Sequence, residues 1–493
     1  MRRSLRPLVC SLAAALACRS SPSGPGAPVA NELAPTADAI FEGRADSGIT
    51  ADTIDDKASI GLERARWTLR GRPSSRGDYW SNIALLDLAS ADATASTMEQ
   101  KTFVAAMRTL MGGEPDAAAV AFEILRAGAQ DSLVQARARV GLTMALSWHS
   151  DWSAMASISP RADSADVRNA VASSTDPLAI SASVERWAHA FSMMPLPEYV
   201  LPEQAVVLPM RRSAFGTPVI TVRINGRPHE FWLDTGASMT LLSSDVAIEA
   251  GAKLAAADTL ALGVVGGHIE ARAVYLDSLS IGPVQVRGLG AAIVNPENLR
   301  FDQRIENGVR RQIRIDGMIG TDVLRHLDVV LDAGAETITI RRPRRTAVLT
   351  RNLFWVGYPV VRLVTREGLP MLFGLDTGAE ATYVTSTLLK KLPRTRIATR
   401  RVTLTGIGAE KKNTSWVARD VALSDGNYAI DLRNVPVMPE QRWTFVNFDG
   451  VLGSDVALTT RMHLDFTNGV FDIRGSAALS KPTAGPLDGV KVF

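Results

Sequence analysis

The chain has 493 residues, 46% apolar and 21% charged, a balance that excludes disordered, collagenous and coiled-coil classes. Its length suits about three domains. The 54 basic and 51 acidic residues leave a formal charge of +3 with both signs mixed, so no basic stripe nominates nucleic acid as a partner, and two cysteines within the first 18 residues exclude a disulfide framework.

The chain opens Met-Arg-Arg-Ser-Leu-Arg and continues with an apolar stretch from Leu8 to Ala17. A basic start followed by a short apolar run predicts a secretory signal peptide over 1–17, too short to span a bilayer. The run Ala15-Leu16-Ala17-Cys18 resembles a bacterial lipoprotein box. That resemblance implies an acylated Cys18 and a lipid anchor at the membrane surface; ordinary cleavage that leaves Cys18 unmodified is the other reading. Both predict export, to the bacterial cell envelope (periplasm or outer membrane). Residues 18–36, rich in Ser, Pro, Gly and Ala, read as a flexible tether.

Residues 37–197 read as a helical domain. Phe103, Met107 and Leu110 recur at helical spacing, as do Ala118, Phe122 and Leu125 beyond a Gly-Gly-Glu-Pro-Asp break at 112–116. A second pair of helices is predicted over Val134 to Ser147 and Trp152 to Ile158, with a break at His149-Ser150-Asp151. Asp116 and Asp151, each opening the second helix of its pair, lie 35 residues apart. That period resembles tetratricopeptide-type hairpins and implies a protein partner or a substrate-presenting role. An irregular helical domain is the alternative.

From Pro202 the pattern alternates every second residue and is written twice, over 202–345 and 346–476, before a tail at 477–493. In the first copy Ile220, Val222 and Ile224 lead to an Asn225-Gly226 turn and return through Phe231-Trp232-Leu233 into Asp234-Thr235-Gly236-Ala237. In the second, Val361-Arg362-Leu363-Val364 returns through Phe373-Gly374-Leu375 into Asp376-Thr377-Gly378-Ala379. Gly266 and Gly408 each follow the aspartate by 32 residues, in loops that also hold Gly263, Gly267 and Gly406. Met318-Ile319-Gly320 and Val451-Leu452-Gly453 follow, with Asp332 and Asp465 each 12 residues beyond. The first copy has its extra residues near 290–312. Matched positions at fixed offsets mark a duplicated β-domain.

These motifs resemble the retropepsin-like bacterial branch of the aspartic protease superfamily. The resemblance implies an α+β multidomain chain in which two all-β acid-protease domains form a pseudo-dimer behind the helical domain. It implies a catalytic pair, Asp234 and Asp376, that share a proton and activate water, because two close carboxylates cannot both ionise. Thr235 and Thr377 would brace the two loops, and Gly236 and Gly378 would let them turn tightly. Ala237 and Ala379 complete the motif, and the glycine loops (Gly263, Gly266, Gly267; Gly406, Gly408) would be flaps over an extended peptide. Pairing of half-sites between two chains is the other arrangement. Glu380 departs from the pattern beside the second motif.

Six histidines lie singly and no ligand spacing recurs, so no metal and no cofactor is expected. Asp316, Asp322, Asp449 and Asp455 read as turn and cap residues, and Arg341 to Arg345 as a solvated linker. Two functions remain: an exported aspartic endopeptidase acting on a peptide or protein substrate, or a non-catalytic envelope lipoprotein whose helices bind a partner over a β scaffold.

Overall fold

The structure is a computed structural model that describes residues 59–69, 77–158, 177–264, 267–304, 310–346, 350–406, 409–443 and 446–475. The predicted signal peptide, Cys18, the tether and the 477–493 tail lie outside these residues.

Among the described residues, seven helices form the N-terminal layer: α1 (Tyr79–Ala84), α2 (Leu88–Thr94), α3 (Met98–Met111), α4 (Pro115–Gly128), α5 (Ser132–Ser147), α6 (Trp152–Ile158) and α7 (Pro177–Phe191). Their ends follow local chemistry. Thr97 caps α3 by accepting from the Gln100 amide, Pro115 supplies the first turn of α4, and Asp131 caps α5 through the Leu133 and Val134 amides. Asp151 accepts from the Ala154 amide at the start of α6, whereas Asp116 sits inside the first turn of α4, behind Glu114. Phe103, Met107, Leu110, Ala118 and Phe122 are buried at the expected spacing. A fully buried phenylalanine of this kind contributes about 1.5–3 kcal/mol.

One segment departs from the helical expectation. Residues Ser59–Arg64 form a strand, β1, which pairs antiparallel with Tyr428–Arg433 at the edge of the second repeat. Its six residues are too few for a helical period to show, and its partner lies far along the chain.

The repeats have the same sheet, strand for strand. The first contains β2 (Pro218–Ile224), β3 (Arg227–Leu233), β4 (Leu241–Ser243), β5 (Lys253–Val264), β6 (Gly267–Ile281) and β7 (Val284–Val294), then the hairpin β8 (Arg300–Arg304) and β9 (Arg310–Arg314), then β10 (Gly317–Ile319). Across this sheet the order is Glu198–Val200, β7, β4, β10, β3, β2, β6, β5. After β11 (Asp328–Asp332) and β12 (Thr337–Arg341), the second repeat has β13 (Pro359–Val364), β14 (Pro370–Leu375), β15 (Tyr383–Thr385), β16 (Ile397–Gly406), β17 (Ala409–Ser424), β18 (Tyr428–Met438) and β19 (Gly450–Leu452). Its order is β1, β18, β15, β19, β14, β13, β17, β16. The strand β1 therefore takes the place that Glu198–Val200 holds in the first repeat. The hairpin β8–β9 falls where the sequence places the extra residues; its counterpart is the short pair Gln441–Trp443 and Val446–Phe448.

A five-stranded sheet joins the repeats. In it β11 pairs antiparallel with β20 (Thr460–Asp465), flanked by β12 and β21 (Val470–Gly475). One hydrophobic core runs through both repeats and this sheet. The helical layer adds two more clusters. Helices α1–α5 pack on Phe354, Tyr358, Leu372, Val446 and Phe448 of the second repeat, while α6 and α7 pack on Trp232, Leu241, Ala292 and Met318 of the first. Each repeat also carries short helices after its sheet strands, α8 (Ser244–Glu249) and α9 (Thr321–Leu324) in the first; Arg325, fully buried at the end of α9, donates to the Trp148 carbonyl at 2.7 Å and to Ser150 Oγ at 2.8 Å. It ties the end of α5 to the sheets.

Candidate active site

The two Asp-Thr-Gly-Ala loops leave the ends of β3 and β14 and meet inside one chain. Each strand is held by its neighbour across a parallel pairing, Leu233 with Ile319 and Leu375 with Leu452. The aspartate amides then donate to the Ile319 and Leu452 carbonyls, at 3.0 and 2.9 Å. The hydrophobic-glycine elements therefore set the height at which each carboxylate stands.

Four reciprocal hydrogen bonds lock the loops together. Thr235 N–H donates to Thr377 Oγ1 at 3.0 Å, and Thr377 N–H to Thr235 Oγ1 at 2.9 Å. Each hydroxyl in turn donates to the opposite strand end, Thr235 Oγ1 to the Leu375 carbonyl at 2.9 Å and Thr377 Oγ1 to Leu233 at 2.7 Å. Both threonines are buried, so any group left unpaired here would cost about 1–3 kcal/mol.

Asp234 and Asp376 are buried at 1% and 0% exposure. Asp234 Oδ1 accepts from the Gly236 and Ala237 amides at 2.8 and 3.1 Å; Asp376 Oδ1 accepts from Gly378 and Ala379 at 3.0 and 2.9 Å. Each carboxyl also presses on the opposite glycine. A Cβ on Gly378 would lie 2.5 Å from Asp234 Cγ, and one on Gly236 would collide with the Asp376 carboxyl. The chain turns tightly here as expected, the Ala237 and Ala379 amides donating to the Asp234 and Asp376 carbonyls at 3.3 and 3.2 Å, but neither glycine has a positive φ, so the space needed by the opposite acid is what demands glycine. Burial raises the Asp234 pKa, against the pull of the Gly236 and Ala237 amides and of a hydrogen bond with Asp376. A bond between two carboxyls requires a proton on one of them.

A second set of residues supports these loops. Asp322 accepts from the Thr240 amide at 2.8 Å and from Thr240 Oγ1 at 3.0 Å; Asp455 accepts from the Thr382 amide at 2.8 Å and from Thr382 Oγ1 at 2.6 Å. Burial raises both pKa values to about 6. Asp322 and Asp455 are therefore braces on the two Asp-Thr-Gly loops, a more specific task than the turn and cap role read from sequence. The signal was present: Thr240 and Thr382 each stand six residues beyond their aspartate. Asp316 accepts from the Glu230 amide, and Asp449 accepts from the Leu372 amide and from Lys391 Nζ at 2.6 Å.

The glycine loops lie at the tips of two long hairpins. Gly263 pairs with His268 and Val264 with Gly267 at the end of β5–β6; Gly406 pairs with Ala409 at the end of β16–β17. Gly266 and Gly408 are outside the described residues. Glu380 is exposed beside the second motif. Tyr358, missed in the sequence, is buried behind Gly374 with its ring against Phe448. Its pKa is raised well above the usual value by burial and then by Asp376, Tyr383 and Asp234.

Comparison with known proteins adds the following. Residues 220–323 match the family model described as aspartyl protease. Among solved structures, the chain is similar to the aspartic proteinase from Irpex lacteus, with 10% identity, a TM-score of 0.36, and coverage of 56% of this chain and 99% of that one. It is also similar to a retropepsin-like aspartic protease from Rickettsia conorii, with 16% identity, a TM-score of 0.21, and coverage of 30% and 96%. No curated protein matches the sequence. The family match thus falls on the first repeat, and it takes in Asp234, Thr235, Gly236 and Gly320.

Proposed function

We propose that this protein is an aspartic-type peptidase in which Asp234 and Asp376 form one catalytic pair within the chain. The observation that carries this reading is the mutual bracing of the two loops: each threonine holds the other loop and each glycine makes room for the other carboxyl. A scaffold has no use for two buried acids pressed together, because their desolvation works against folding.

In the proposed reaction the pair holds one proton. The ionised member takes a proton from water as it attacks the scissile carbonyl, and the protonated member donates to the carbonyl oxygen. Return of these protons expels the amine. Because the two acids titrate as a unit, neither is assigned as the base. The flap hairpins would close over the peptide and exclude water. By the same proposal the protein is exported and Cys18 carries lipid, which leaves the helical layer to act on substrate or partner at the membrane surface.

Hydrolysis of a mixed peptide library between pH 3 and 7 tests the reading, with Asp234→Asn and Asp376→Asn as comparisons. Loss of cleavage is expected in each variant; activity that survives either one would refute the pair.

A further inference from the structure

We propose that the junction between the helical layer and the first repeat is an acid-sensitive clasp, in which charging of His326 parts the α5–α6 corner from α9. The inference stands independently of the peptidase reading.

The corner is fastened as well as packed. Ser150 has a φ of 53°, a left-handed conformation that residues with a side chain rarely adopt. Arg325 secures it from the other side, since its Nε and Nη2 donate to the Trp148 carbonyl and to Ser150 Oγ. The guanidinium also lies over the Trp355 ring at 5.1 Å, and Trp355 Nε1 donates to Ser147 Oγ at 3.3 Å. One buried cation therefore fastens the end of α5 to both repeats.

His326 is the next residue and stands at the same joint. Its ring lies 5.9 Å from that of Trp148, edge to face, and 4.1 Å from that of Tyr199. Tyr199 is itself anchored, its hydroxyl donating to the Asp322 carbonyl at 2.9 Å. His326 Nε2 is buried and meets no hydrogen-bond partner among the described residues. A neutral ring tolerates this with Nε2 as the bare nitrogen. A charged ring does not, because both nitrogens then carry protons. The added N–H would be an orphan donor, and its charge would sit beside Arg325.

The other charged groups around the joint are engaged elsewhere. On α9, Asp322 turns its carboxylate to Thr240. On β11, Asp328 faces His463 at 2.7 Å and Arg341 at 3.6 Å. Beside Tyr199, Glu198 pairs with Arg287 at 3.3 Å. At the corner, His149 pairs with Asp116 of α4 at 2.9 Å, and Asp151 accepts from the Ala154 amide. Burial, then the Arg325 and His149 charges, holds the His326 ring well below the usual 6.5; the Trp148 backbone works the other way. The second repeat has Leu458 and Thr459 at the positions of Arg325 and His326, and neither is a base, so the clasp belongs to the first repeat alone.

The docked corner favours the neutral ring, so docking is complete above about pH 6.5 and weakens as the pH falls below it. Asp322 acts with the opposite sign: burial raises it to about 6, so acidification works in favour of the fold there. An open His326 titrates near 6.5, and a fall from pH 7 to about 4.5 therefore favours the open corner by up to about 100-fold.

Hydrogen–deuterium exchange of the full chain at these two pH values, corrected for intrinsic exchange rates and followed by mass spectrometry, reads the clasp directly. In the wild type, amides at 146–155 are expected to lose protection by about tenfold to 100-fold on acidification, while α3 keeps its own. His326→Gln, which stays neutral, should retain protection at both pH values. His326→Thr takes its place if that variant loses its folded circular dichroism. His149→Gln, which breaks only the surface pair with Asp116, should respond as the wild type does. Equal acid loss in the wild type and a folded His326 variant would overturn the proposal. So would unchanged protection in the wild type, or a loss that spreads over α3. Loss of the response in His149→Gln would transfer it to the surface pair and refute the role given to His326. Asp234→Asn should show the wild-type response, so the outcome is separate from any loss of peptide cleavage.

Discussion

Glycine 378 is the position at which the geometry makes its hardest demand. A Cβ there would stand 2.5 Å from Asp234 Cγ, against an ordinary contact of 3.4–4 Å, so Gly378→Ala must push the carboxyl or the loop by roughly 1 Å. The acid cannot swing aside freely, because the Gly236 and Ala237 amides hold it. The loop cannot yield freely either, because Thr377 anchors it to Leu233. Overpacking of this kind costs about 1–3 kcal/mol, and a reacting group misplaced by about 1 Å can lose on the order of 100-fold in rate. The assay is kcat for peptide hydrolysis beside a urea unfolding curve. A large fall in kcat is expected, with a smaller loss of stability. Gly128→Ala serves as control, since nothing lies within 4 Å of its Cβ position. A Gly378→Ala protein with wild-type kcat and stability would refute the close approach of the two loops.

Two further expectations follow from the same framework. Thr377→Val keeps the shape but removes both the acceptor for Thr235 N–H and the donor to Leu233, and should cost about 2–4 kcal/mol in urea unfolding, whereas Thr377→Ser should recover most of it. Asp455, raised to about 6 by burial from its ordinary 3.8, is held more readily in its protonated form by the folded state than by the unfolded chain. Its contribution to stability is therefore complete below about pH 3.8 and lost as the pH rises through about 6, so the fall in unfolding midpoint across this window should be shallower in Asp455→Asn, and parallel slopes would contradict the assignment.

The site was legible in the sequence because it is written twice. Two Asp-Thr-Gly-Ala motifs, each followed by a hydrophobic-glycine element, stand at the ends of matched strands, and the structure brings Asp234, Asp376 and both threonines together. The ends of α5 and α6 were legible to within two residues through apolar spacing and the break at 149–151. What local pattern could not reveal depends on contacts between distant segments. The strand β1 is six residues that acquire their meaning from Tyr428–Arg433. Nothing local to Arg325 marks it as buried; the approach of the Trp148 carbonyl and Ser150 satisfies its donors in the interior.

Differences between the copies carry information that their likeness hides. Two residues before the aspartate, the first repeat has Trp232, stacked on Phe301 from the β8–β9 hairpin. The second has Gly374, and the Tyr358 ring fills the space that a side chain there would take. Five residues beyond the hydrophobic-glycine element, the first has Arg325 and the second Leu458. The second difference lies where the helical layer meets the sheets, since Arg325 donates to the Trp148 carbonyl and Ser150. The loops that hold the acids stay alike because both brace one site, while the surfaces around them diverge where different helices pack on each repeat. A duplicated fold with identical surroundings would bind a peptide equally at both ends. Here the helices meet the two repeats through different residues, so the two copies are no longer equivalent.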